Sequence, residues 1–402
     1  DGDVISVATG MYTENVLVNK NLTFVKTGSG QVEITSLTFT NGAMLNQPLP
    51  TETAFSIPLV TINDGSSVVD GATLVSSNGT VVLNSGTYNQ SLFLSKSFNL
   101  LANGNPVIQD VILSGNGVVV VLEGSLSVSN SLQFNRPEGG KFEISSGQLT
   151  VLPGASMSQG TGASYAVTTG SGKLVANIES SGTVFPVGIA AAFTPVTISG
   201  ATSGSSEPVS VSVRSAGNVG SFNPDLPTQV NSHVRLVWSI SSDIQTNANI
   251  RFDYNGSYEP SDWNTVQNRV VARALSQTYE NGTNSVIGES YASADFSSVK
   301  GTFAIYSDFP NAIPYNESSV AVKAFPNPFM DALTLNLTGS ISELVTIQVS
   351  DIAGRIISSE KVSMSASNMT YSMDTQTMKS SGLYLLTISG EQGSTTLRVI
   401  KN

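Results

Sequence analysis

A sequence repeat near the start of the chain most constrains how the chain can fold. Gly10-Met11-Tyr12 follows one strand pattern and precedes another, and Gly86-Thr87-Tyr88 does the same 76 residues later, with Lys20 and Lys96 also in register. Each copy contains about three strands of roughly four or five residues, separated by tight turns. Such strands are too short for a flat sheet of their own, and they favour coils that stack on one another.

Short apolar runs separated mainly by glycine turns continue after the second copy, as far as Leu174-Val175-Ala176. Stacked coils would bury a continuous ladder of Val, Leu and Ile, each contributing about 1.5–3 kcal/mol when fully buried. With its Gly-x-Tyr motifs and lysine turns, this half resembles the entry coils of a right-handed parallel β-helix of the pectate-lyase-like superfamily. We therefore predict a parallel β-helix over residues 1–200. The alternative, a pair of β-sandwiches, is disfavoured by the repeat.

Longer strand patterns replace the short ones in the next part of the chain, for example at Val234–Ile240. Their spacing and turn content predict an immunoglobulin-like β-sandwich over residues 201–312. Trp238 lies in an alternating strand, so we expect it in the core of that sandwich. The proline-containing stretch that follows predicts a linker at residues 313–319.

The final part of the chain, residues 320–402, is predicted to be a separate small β domain. The two prolines of Pro326-Asn327-Pro328 remove backbone donors and restrict this segment to an edge or a lead-in to a sheet. Alternating strands follow at Leu333–Leu337 and Val345–Val349. The segment Asp351–Arg355 then supplies the aspartate and glycine of a tight hairpin. We expect an all-β chain of three domains.

These motifs, in this order and spacing, resemble the type A C-terminal sorting domain of cargo proteins of the type IX secretion system, found in Bacteroidota. Many family members have lysine where Arg398 stands, which keeps the charge. The resemblance implies a sorting signal made of Pro326, Asn327, Pro328, Asp351, Gly354, Arg355, Gly382, Tyr384, Arg398 and Lys401. As ordinary structural residues, Gly382 would enter a strand, Tyr384 would pack in the core, and Arg398 and Lys401 would lie on a solvated strand edge.

The resemblance also implies a route of export. A leader would take the chain across the inner membrane, and the type IX translocon would pass it through the outer membrane. A PorV-like outer-membrane shuttle would capture it, and a sortase-like protease would remove the sorting domain. The expected location is the cell surface or the extracellular space, with outer-membrane association during export and a role in gliding motility left open. Because the chain opens inside a strand pattern without a leader, we expect a processed product or a fragment, with its β-helix truncated at the N-terminus.

Composition excludes several other classes of function. There is no cysteine, so disulfides and thiolate chemistry are excluded. The net charge of −11 argues against nucleic acid as a partner and against electrostatic binding to an anionic membrane surface. No apolar run approaches the roughly 20 residues of a membrane-spanning helix, so we expect no membrane insertion. The amphipathic helical period is essentially missing from the chain, and no helix is convincingly predicted.

The sequence offers little for catalysis. His233 is the single histidine, and we interpret it as an ordinary surface or cap residue rather than a metal ligand. The acids of the first half are scattered, so no catalytic residue, metal site or cofactor is assigned. Residues beside glycines or strand starts are interpreted as turn residues: Asp64, Asp70 and Asp110. The one compact charged group, Arg136 to Lys141, is interpreted as a loop between coils because it contains proline and two glycines. Asp262 and Trp263 could contact sugar, with the aromatic ring as a platform, but an exposed or half-buried tryptophan of the sandwich explains them as well.

Two functional classes follow from these observations. The first, which we favour, is a non-catalytic exported cargo that is adhesin-like or binds a cell-surface or extracellular polysaccharide. The second is a β-helix polysaccharide lyase or hydrolase that uses the same route. A lyase needs a carboxylate cluster that holds calcium and an Arg or Lys base, whereas a hydrolase needs paired carboxylates about 5–10 Å apart. Because adjacent coils bring distant acids together, sequence spacing leaves the second class open.

Overall fold

The protein is all-β, with 67% of its residues in strands and almost no helix. The computed structural model describes residues 2–46, 54–134, 139–200, 207–215, 232–242, 247–259, 269–275, 278–307, 321–338, 344–352, 354–363, 368–390 and 393–402. The chain forms two compact units. One comprises Asp1–Leu275 with Asn281–Phe309, and the other comprises Ser276–Glu280 with Pro310–Asn402.

The first unit begins with a β-solenoid of about eight turns. Its parallel strands are β1 Asp3–Val18, β2 Leu22–Phe39, β3 Phe55–Ile62, β4 Val75–Leu83, β5 Thr87–Leu94, β6 Phe98–Ala102, β7 Val107–Leu113, β8 Val118–Gln133, β9 Gly140–Ile144, β10 Gln148–Val151, β11 Ser156–Met157, β12 Ser164–Thr168 and β13 Lys173–Asn177. Phe98 pairs with Val120, and Val118 with Gly140, so each partner lies one coil of 22 residues further along the chain. The predicted parallel β-helix is confirmed. Strand lengths differ from the prediction, because β1 and β2 continue for 16 and 18 residues where the repeat predicted several short strands.

Two parallel sheets form the walls of the solenoid. One contains β1, β2, β3, β4, β6, β8, β9 and β12 in that order. The other contains β5, β7, β8 and β10 and ends on β13. Alternate residues of each strand point into the space between the walls, as in β6, where Phe98, Leu100 and Ala102 are buried. Burial of this apolar ladder is the main stabilising contribution.

The repeated Gly-x-Tyr motif has the same geometry in both copies. The Tyr12 hydroxyl donates to the Ala8 carbonyl over 2.8 Å, and the Tyr88 hydroxyl donates to the Asn84 carbonyl over 2.8 Å. The glycine two residues before each tyrosine has a φ of +151° or +157°, which side chains rarely adopt. Burial, followed by the nearby charge of Asp64, raises the pKa of Tyr88 to about 12. The motif is therefore a local bend that is closed by the tyrosine hydrogen bond, and in the first copy it lies within β1 between two shifts in pairing register.

Asparagine side chains connect successive coils, a feature that we did not predict from the sequence. The side-chain Nδ2 of Asn84 donates to Asn63 Oδ1 over 2.8 Å, and the side-chain Nδ2 of Asn103 donates to Asn84 Oδ1 over 3.0 Å. Each of these residues directly follows a strand of the same sheet. The ladder satisfies amide groups that would otherwise lose hydrogen bonds at the coil corners.

The short helix α1, Val68–Leu74, was not predicted from the sequence. Ser67 caps it by accepting from the Asp70 amide over 3.1 Å. Asp70 is not a turn residue as predicted, because it lies in α1, where it is 4% exposed and accepts from the Leu45 amide over 2.6 Å. The helix fits against β3 because Gly71 leaves no Cβ, which would lie 2.3 Å from Ile62 Cδ1. A seven-residue helix has too little periodicity to be visible in the sequence.

Asp110 also differs from the prediction, whereas Asp64 agrees with it. Asp64 lies in a turn and accepts from the Thr87 amide over 3.0 Å. Asp110 is buried within β7 and accepts from Ser91, Asn130 and Ser131. Burial raises the pKa of Asp110, but these hydrogen bonds and one from the Ser131 backbone amide outweigh it, so the pKa lies below its usual value. Residues one coil away on each side of the strand supply these bonds, so no residue next to Asp110 in the sequence indicates them.

Strands that pair mainly antiparallel follow the solenoid in the same unit, although β15 also pairs in parallel with β12. They are β14 Thr183–Phe185, β15 Val187–Ile189, β16 Ala192–Phe193, β17 Val196–Ser199, β18 Pro208–Ser215, β19 Ser232–His233, β20 Leu236–Ser241, β21 Ala248–Asp253, β22 Arg269–Leu275, β23 Thr278–Asn281, β24 Thr283–Ile287, β25 Tyr291–Phe296 and β26 Gly301–Ser307, with a 3-10 turn at Gly256–Tyr258. One sheet contains β14, β17, β21, β25 and β24. The other contains β18, β20, β26 and β22, and it continues the solenoid wall because β18 pairs with β13.

Aromatic side chains fill the space between these two sheets. The ring of Trp238 in β20 lies 4.9 Å from that of Phe252 in β21, and Phe252 lies 5.3 Å from Phe303 in β26. The indole N–H of Trp238 donates to the Thr194 carbonyl over 3.1 Å. The prediction that Trp238 is a core residue is confirmed. His233 was wrongly interpreted as a surface or cap residue, because it lies in β19 and is 4% exposed.

The second unit contains two smaller antiparallel sheets. Its strands are β27 Ala321–Phe325, β28 Leu333–Thr338, β29 Leu344–Asp351, β30 Ile356–Ser363, β31 Asn368–Met373, β32 Gly382–Gly390 and β33 Gly393–Lys401. The three-stranded sheet has the order β27-β28-β31, and the four-stranded sheet has the order β30-β29-β32-β33. Both contribute to one core that includes Leu335, Ile347, Leu386 and Val399.

The predicted domain boundaries remain predictions. Residues 201–206 and the linker at 313–319 lie outside the described residues. In the parts of the chain that the structure describes, no helix is long and apolar enough to cross a membrane.

Glycines at the coil corners should control the stability of the solenoid. A Cβ on Gly147 would lie 2.3 Å from the Gly124 carbonyl oxygen, and its φ is +70°. Gly154 has a similar φ of +86° but open space around it. We expect Gly147→Ala to lower the free energy of unfolding by about 1–3 kcal/mol more than Gly154→Ala, because only the first adds a backbone clash to the shared strain. Denaturation followed by tryptophan fluorescence measures both, and equal losses would contradict the close-approach explanation.

Asp70 should make the stability of the first unit depend on pH. Burial raises its pKa above 3.8, and hydrogen bonds from Leu45 and Ser67 oppose this only in part. A folded-state pKa above the unfolded value means that the contribution of Asp70 is fully present below 3.8 and is lost as the pH rises through the folded-state pKa. We therefore expect Asp70→Asn to become more stable relative to the native chain over that range. Unfolding curves of both proteins at several pH values test this, and a constant difference would contradict it.

Candidate functional site

The final strand of the second unit is held on both sides. On one side β33 pairs with β32 along its whole length. On the other side the Asn327 side chain donates from Nδ2 to the Arg398 carbonyl over 2.9 Å, and its Oδ1 accepts from the Ile400 amide over 2.9 Å. The Phe329 amide then donates to the Ile400 carbonyl over 2.9 Å, and the Asn402 amide donates to the Phe329 carbonyl over 2.8 Å. We call these contacts of Asn327 and Phe329 with β33 the clamp.

The prolines on either side of Asn327 explain why this segment is available for the clamp. β27 ends at Phe325, and Pro326 and Pro328 follow it, each after a cis peptide bond. Neither proline has an amide hydrogen to donate to a neighbouring strand, so the asparagine side chain takes over the pairing. The buried Phe329 side chain, which is 1% exposed, anchors the far end in the core. The sequence prediction of a sheet lead-in agrees with this geometry, but it contained no sign of the asparagine contacts.

The two basic residues of the final strand differ in their surroundings. Lys401 Nζ donates to the Met378 carbonyl over 2.6 Å, so this lysine contributes to the fold of the domain itself. Arg398 is exposed. Among the described residues, it has no ion-pair partner. Of the two, Arg398 has the charge available for a partner.

The predicted hairpin is present after β29. The Asp351 carboxylate accepts from the Arg355 amide over 2.9 Å and from Arg355 Nε over 3.1 Å. The Gly354 amide donates to the Asp351 carbonyl over 3.0 Å, and Gly354 has a φ of +81° that favours glycine. Because the Arg355 side chain is 81% exposed, the ion pair contributes little to stability, and the aspartate and glycine set the turn.

Gly382-Leu383-Tyr384 is a third copy of the Gly-x-Tyr geometry. Gly382 has a φ of +151°, and the Tyr384 hydroxyl donates to the Ser380 carbonyl over 2.6 Å. Gly382 pairs with Lys401, and Tyr384 pairs with Val399. The structure thus brings seven of the ten predicted sorting residues to β33 and its two neighbouring segments: Pro326, Asn327, Pro328, Gly382, Tyr384, Arg398 and Lys401. Asp351 joins them by pairing with Tyr384, whereas Gly354 and Arg355 lie in the turn beyond.

A groove with a volume of about 350 Å³ lies near the end of the solenoid. The polar residues that line it are Gln159, Asn177, Glu179, Ser181 and Thr183. The Thr183 hydroxyl accepts from the Glu179 amide over 2.8 Å and donates to the Asn177 carbonyl over 3.3 Å. Apolar residues that include Met157 form the rest of the lining. The sequence did not indicate this groove, because its residues come from two separate stretches of the chain, 151–159 and 176–184. Glu179 is the one carboxylate among the described residues that line it.

The other sequence candidates for chemistry do not form a site among the described residues. Arg136, Glu138, Asp262 and Trp263 lie outside those residues. Within the described ranges, no group of three or more His, Cys, Asp or Glu side chains is arranged to hold a metal ion.

The clamp predicts a measurable effect of Asn327 on the last strand. We expect Asn327→Ala to expose the Ile400 amide and to lower the stability of the second unit by about 1–3 kcal/mol, since it removes two hydrogen bonds to the backbone. Asn327→Asp is the matched control, because a carboxylate still accepts from the Ile400 amide while it loses the donor to Arg398. Amide hydrogen exchange should be fast at Ile400 in the alanine variant and slow in the aspartate variant. Slow exchange in both variants would rule out the clamp as the source of protection.

Comparison with known proteins gives one family match. Residues 323–402 match the family described as Secretion system C-terminal sorting domain. No curated protein matches the chain. Among solved structures, the dimeric latent PorU from Porphyromonas gingivalis is similar at 11% identity and a TM-score of 0.19. That match covers 52% of this chain and 18% of the PorU chain.

The family match begins at Lys323, just before the prolines of the clamp, and ends with the strand that the clamp holds. The match therefore covers both parts of the clamp, which are the segment of Asn327 and Phe329 and the strand β33. Residues 323–402 are a C-terminal sorting domain of the type IX secretion system, and the protein that carries them is a cargo exported to the cell surface or the extracellular space.

Proposed function

We propose that three components of the type IX system handle this cargo: the translocon, a PorV-like outer-membrane shuttle and a sortase-like protease that removes the sorting domain. The observation that supports this is the clamp, which holds a final strand with an exposed Arg398 on the domain that matches the sorting family. A folded domain with a fixed basic strand gives a shuttle a rigid feature to bind. Rigid surfaces lose less conformational entropy on binding than flexible tails do.

The sorting signal comprises the residues of the clamp, the hairpin and the third Gly-x-Tyr motif. Their contributions differ in kind. Asn327, Asp351, Gly354, Gly382, Tyr384 and Lys401 act by keeping the domain folded, through the contacts given above, and the two prolines position Asn327. Arg398 and Arg355 are exposed and can contact a partner directly.

For the upstream part we propose a non-catalytic, adhesin-like role in which the groove near Glu179 binds a polysaccharide. Amides, hydroxyls and a single carboxylate are suitable partners for sugar hydroxyls, and the apolar lining can pack against a sugar ring. A glycoside hydrolase would need a second carboxylate about 5–10 Å from the first. The described lining of the groove contains a single carboxylate, that of Glu179, and no second one. The exported lyase or hydrolase therefore remains the second candidate.

Removal of the last strand tests the sorting function. We expect deletion of residues 398–402 to stop secretion in the native host, since it removes the carbonyl of Arg398 and the amides of Ile400 and Asn402 that the clamp binds. Arg398→Lys is the control, because it keeps both the charge and the backbone contacts, and it should be exported normally. Trp238 fluorescence reports whether the first unit is folded in each case. Normal export of the folded deletion variant would refute the sorting assignment.

Incubation with a panel of uronate and neutral polysaccharides separates the two candidate activities. We expect binding without new unsaturated or reducing ends, and we expect Glu179→Gln and Asn177→Ala to weaken that binding because each removes a polar group from the groove. Lys300→Ala, a change outside the groove lining, should leave binding unchanged. Product formation by the native chain would favour the enzyme.

A further inference from the structure

Exposed apolar side chains are concentrated in the sorting domain. Among the described residues, eighteen large hydrophobic side chains are exposed, and seven of them lie within residues 323–402, which are about a fifth of the chain. The seven are Phe325, Met330, Leu344, Ile352, Ile356, Leu383 and Ile400. Contiguous apolar surface on a folded domain commonly marks an interaction site.

Four apolar residues of this domain share the outer face of the four-stranded sheet with Arg398. Leu383 pairs with Ile400, and the next outward pair is Leu385 with Arg398. Leu385 also pairs with Ser350, which pairs in turn with Ile356. The residues between them, such as Tyr384 and Val399, point into the core, so these five point outward. We call Ile356, Leu383, Leu385, Arg398 and Ile400 the outer patch.

The outer patch occupies one end of its sheet face. Towards the other end the outward residues are polar, with Thr387 and Thr396 hydrogen-bonded to each other over 2.9 Å and Gln348 on the neighbouring strand. The apolar end is also the end where the clamp fixes β33. The patch is therefore held in place by backbone pairing on two sides, and it is limited by polar residues along the strands.

The charges of the domain favour one kind of partner. Arg398 has no ion-pair partner among the described residues, whereas the carboxylate of Asp351 pairs with Arg355 and that of Glu360 accepts from Tyr371. Residues 323–402 contain six basic and six acidic residues, so the net charge of −11 lies entirely in the residues before them. An acidic partner surface would attract Arg398 and repel the rest of the cargo.

We propose that the outer patch is the surface by which the sorting domain binds the outer-membrane shuttle, through an apolar surface on the shuttle that carries a carboxylate opposite Arg398. This inference rests on the shuttle assigned under the proposed function. Leu383, Ile400 and Ile356 supply the apolar area that leaves water, and the ion pair of Arg398 fixes the orientation. Because the upstream acidic charge opposes binding elsewhere, the shuttle selects the sorting domain from the remainder of the chain.

Binding of the full chain to the purified, detergent-solubilised shuttle tests this proposal. We expect Leu383→Ser combined with Ile400→Ser, and separately Arg398→Glu, each to raise Kd about tenfold or more, as changes at the centre of an interface do. The matched control is Thr387→Ala combined with Thr396→Ala at the polar end of the same face, which should leave Kd unchanged. Amide exchange at Tyr384 and Leu386 confirms that each variant is folded. If the double apolar variant unfolds, Arg398→Glu still tests the proposal, because it changes one exposed side chain.

The outcomes separate this inference from the proposed function. Unchanged Kd values in folded patch variants would overturn the outer patch as the docking surface, even if deletion of residues 398–402 still blocks export. Binding of the full chain to vesicles of phosphatidylethanolamine and phosphatidylglycerol, but not to the shuttle, would overturn it in favour of a lipid surface. Normal export of the deletion variant would instead refute the sorting function itself.

Discussion

Backbone pairing of strand edges is the constraint on which this structure depends. The chain has no cysteine and almost no helix, so neither disulfides nor helix packing can hold it together. In the solenoid each coil pairs with the next, and the wall that ends on β13 continues into the antiparallel sheet through β18. In the sorting domain the exposed side of β33 would be open, and the Asn327 side chain supplies part of the missing neighbour. The Asn327 side chain and the Phe329 backbone thus pair with β33 on the side where a neighbouring strand is absent.

One local motif serves both units. Gly10, Gly86 and Gly382 have similar positive φ values, and the tyrosine two residues after each donates to a carbonyl four residues before it. Two of these motifs lie in a parallel solenoid and the third in an antiparallel sheet. The motif therefore specifies a local bend and the tyrosine hydrogen bond that closes it, and it occurs in both parallel and antiparallel structure.

Features with a local cause were predictable from the sequence, and features that depend on a neighbouring coil were not. The repeat predicted stacked coils, the alternation around Trp238 predicted a core strand, and the Asp351 to Arg355 segment predicted its turn. Asp110 and the asparagine ladder depend on residues about 20 positions away, so nothing beside them in the sequence reveals their role. The candidate site shows the same division. Its proline and hairpin signals are local, whereas the contacts of Asn327 join residues 71 and 73 positions apart and appear only in the folded domain.

The span of the clamp has a consequence for synthesis. Because Asn327 binds the backbone of Arg398 and Ile400, the sorting domain cannot close until the ribosome has produced and released the last of these residues. Any chain that lacks these residues would leave Asn327 without its backbone partners and one edge of the sheet unpaired. The clamp thus makes folding of this domain depend on the presence of its last strand.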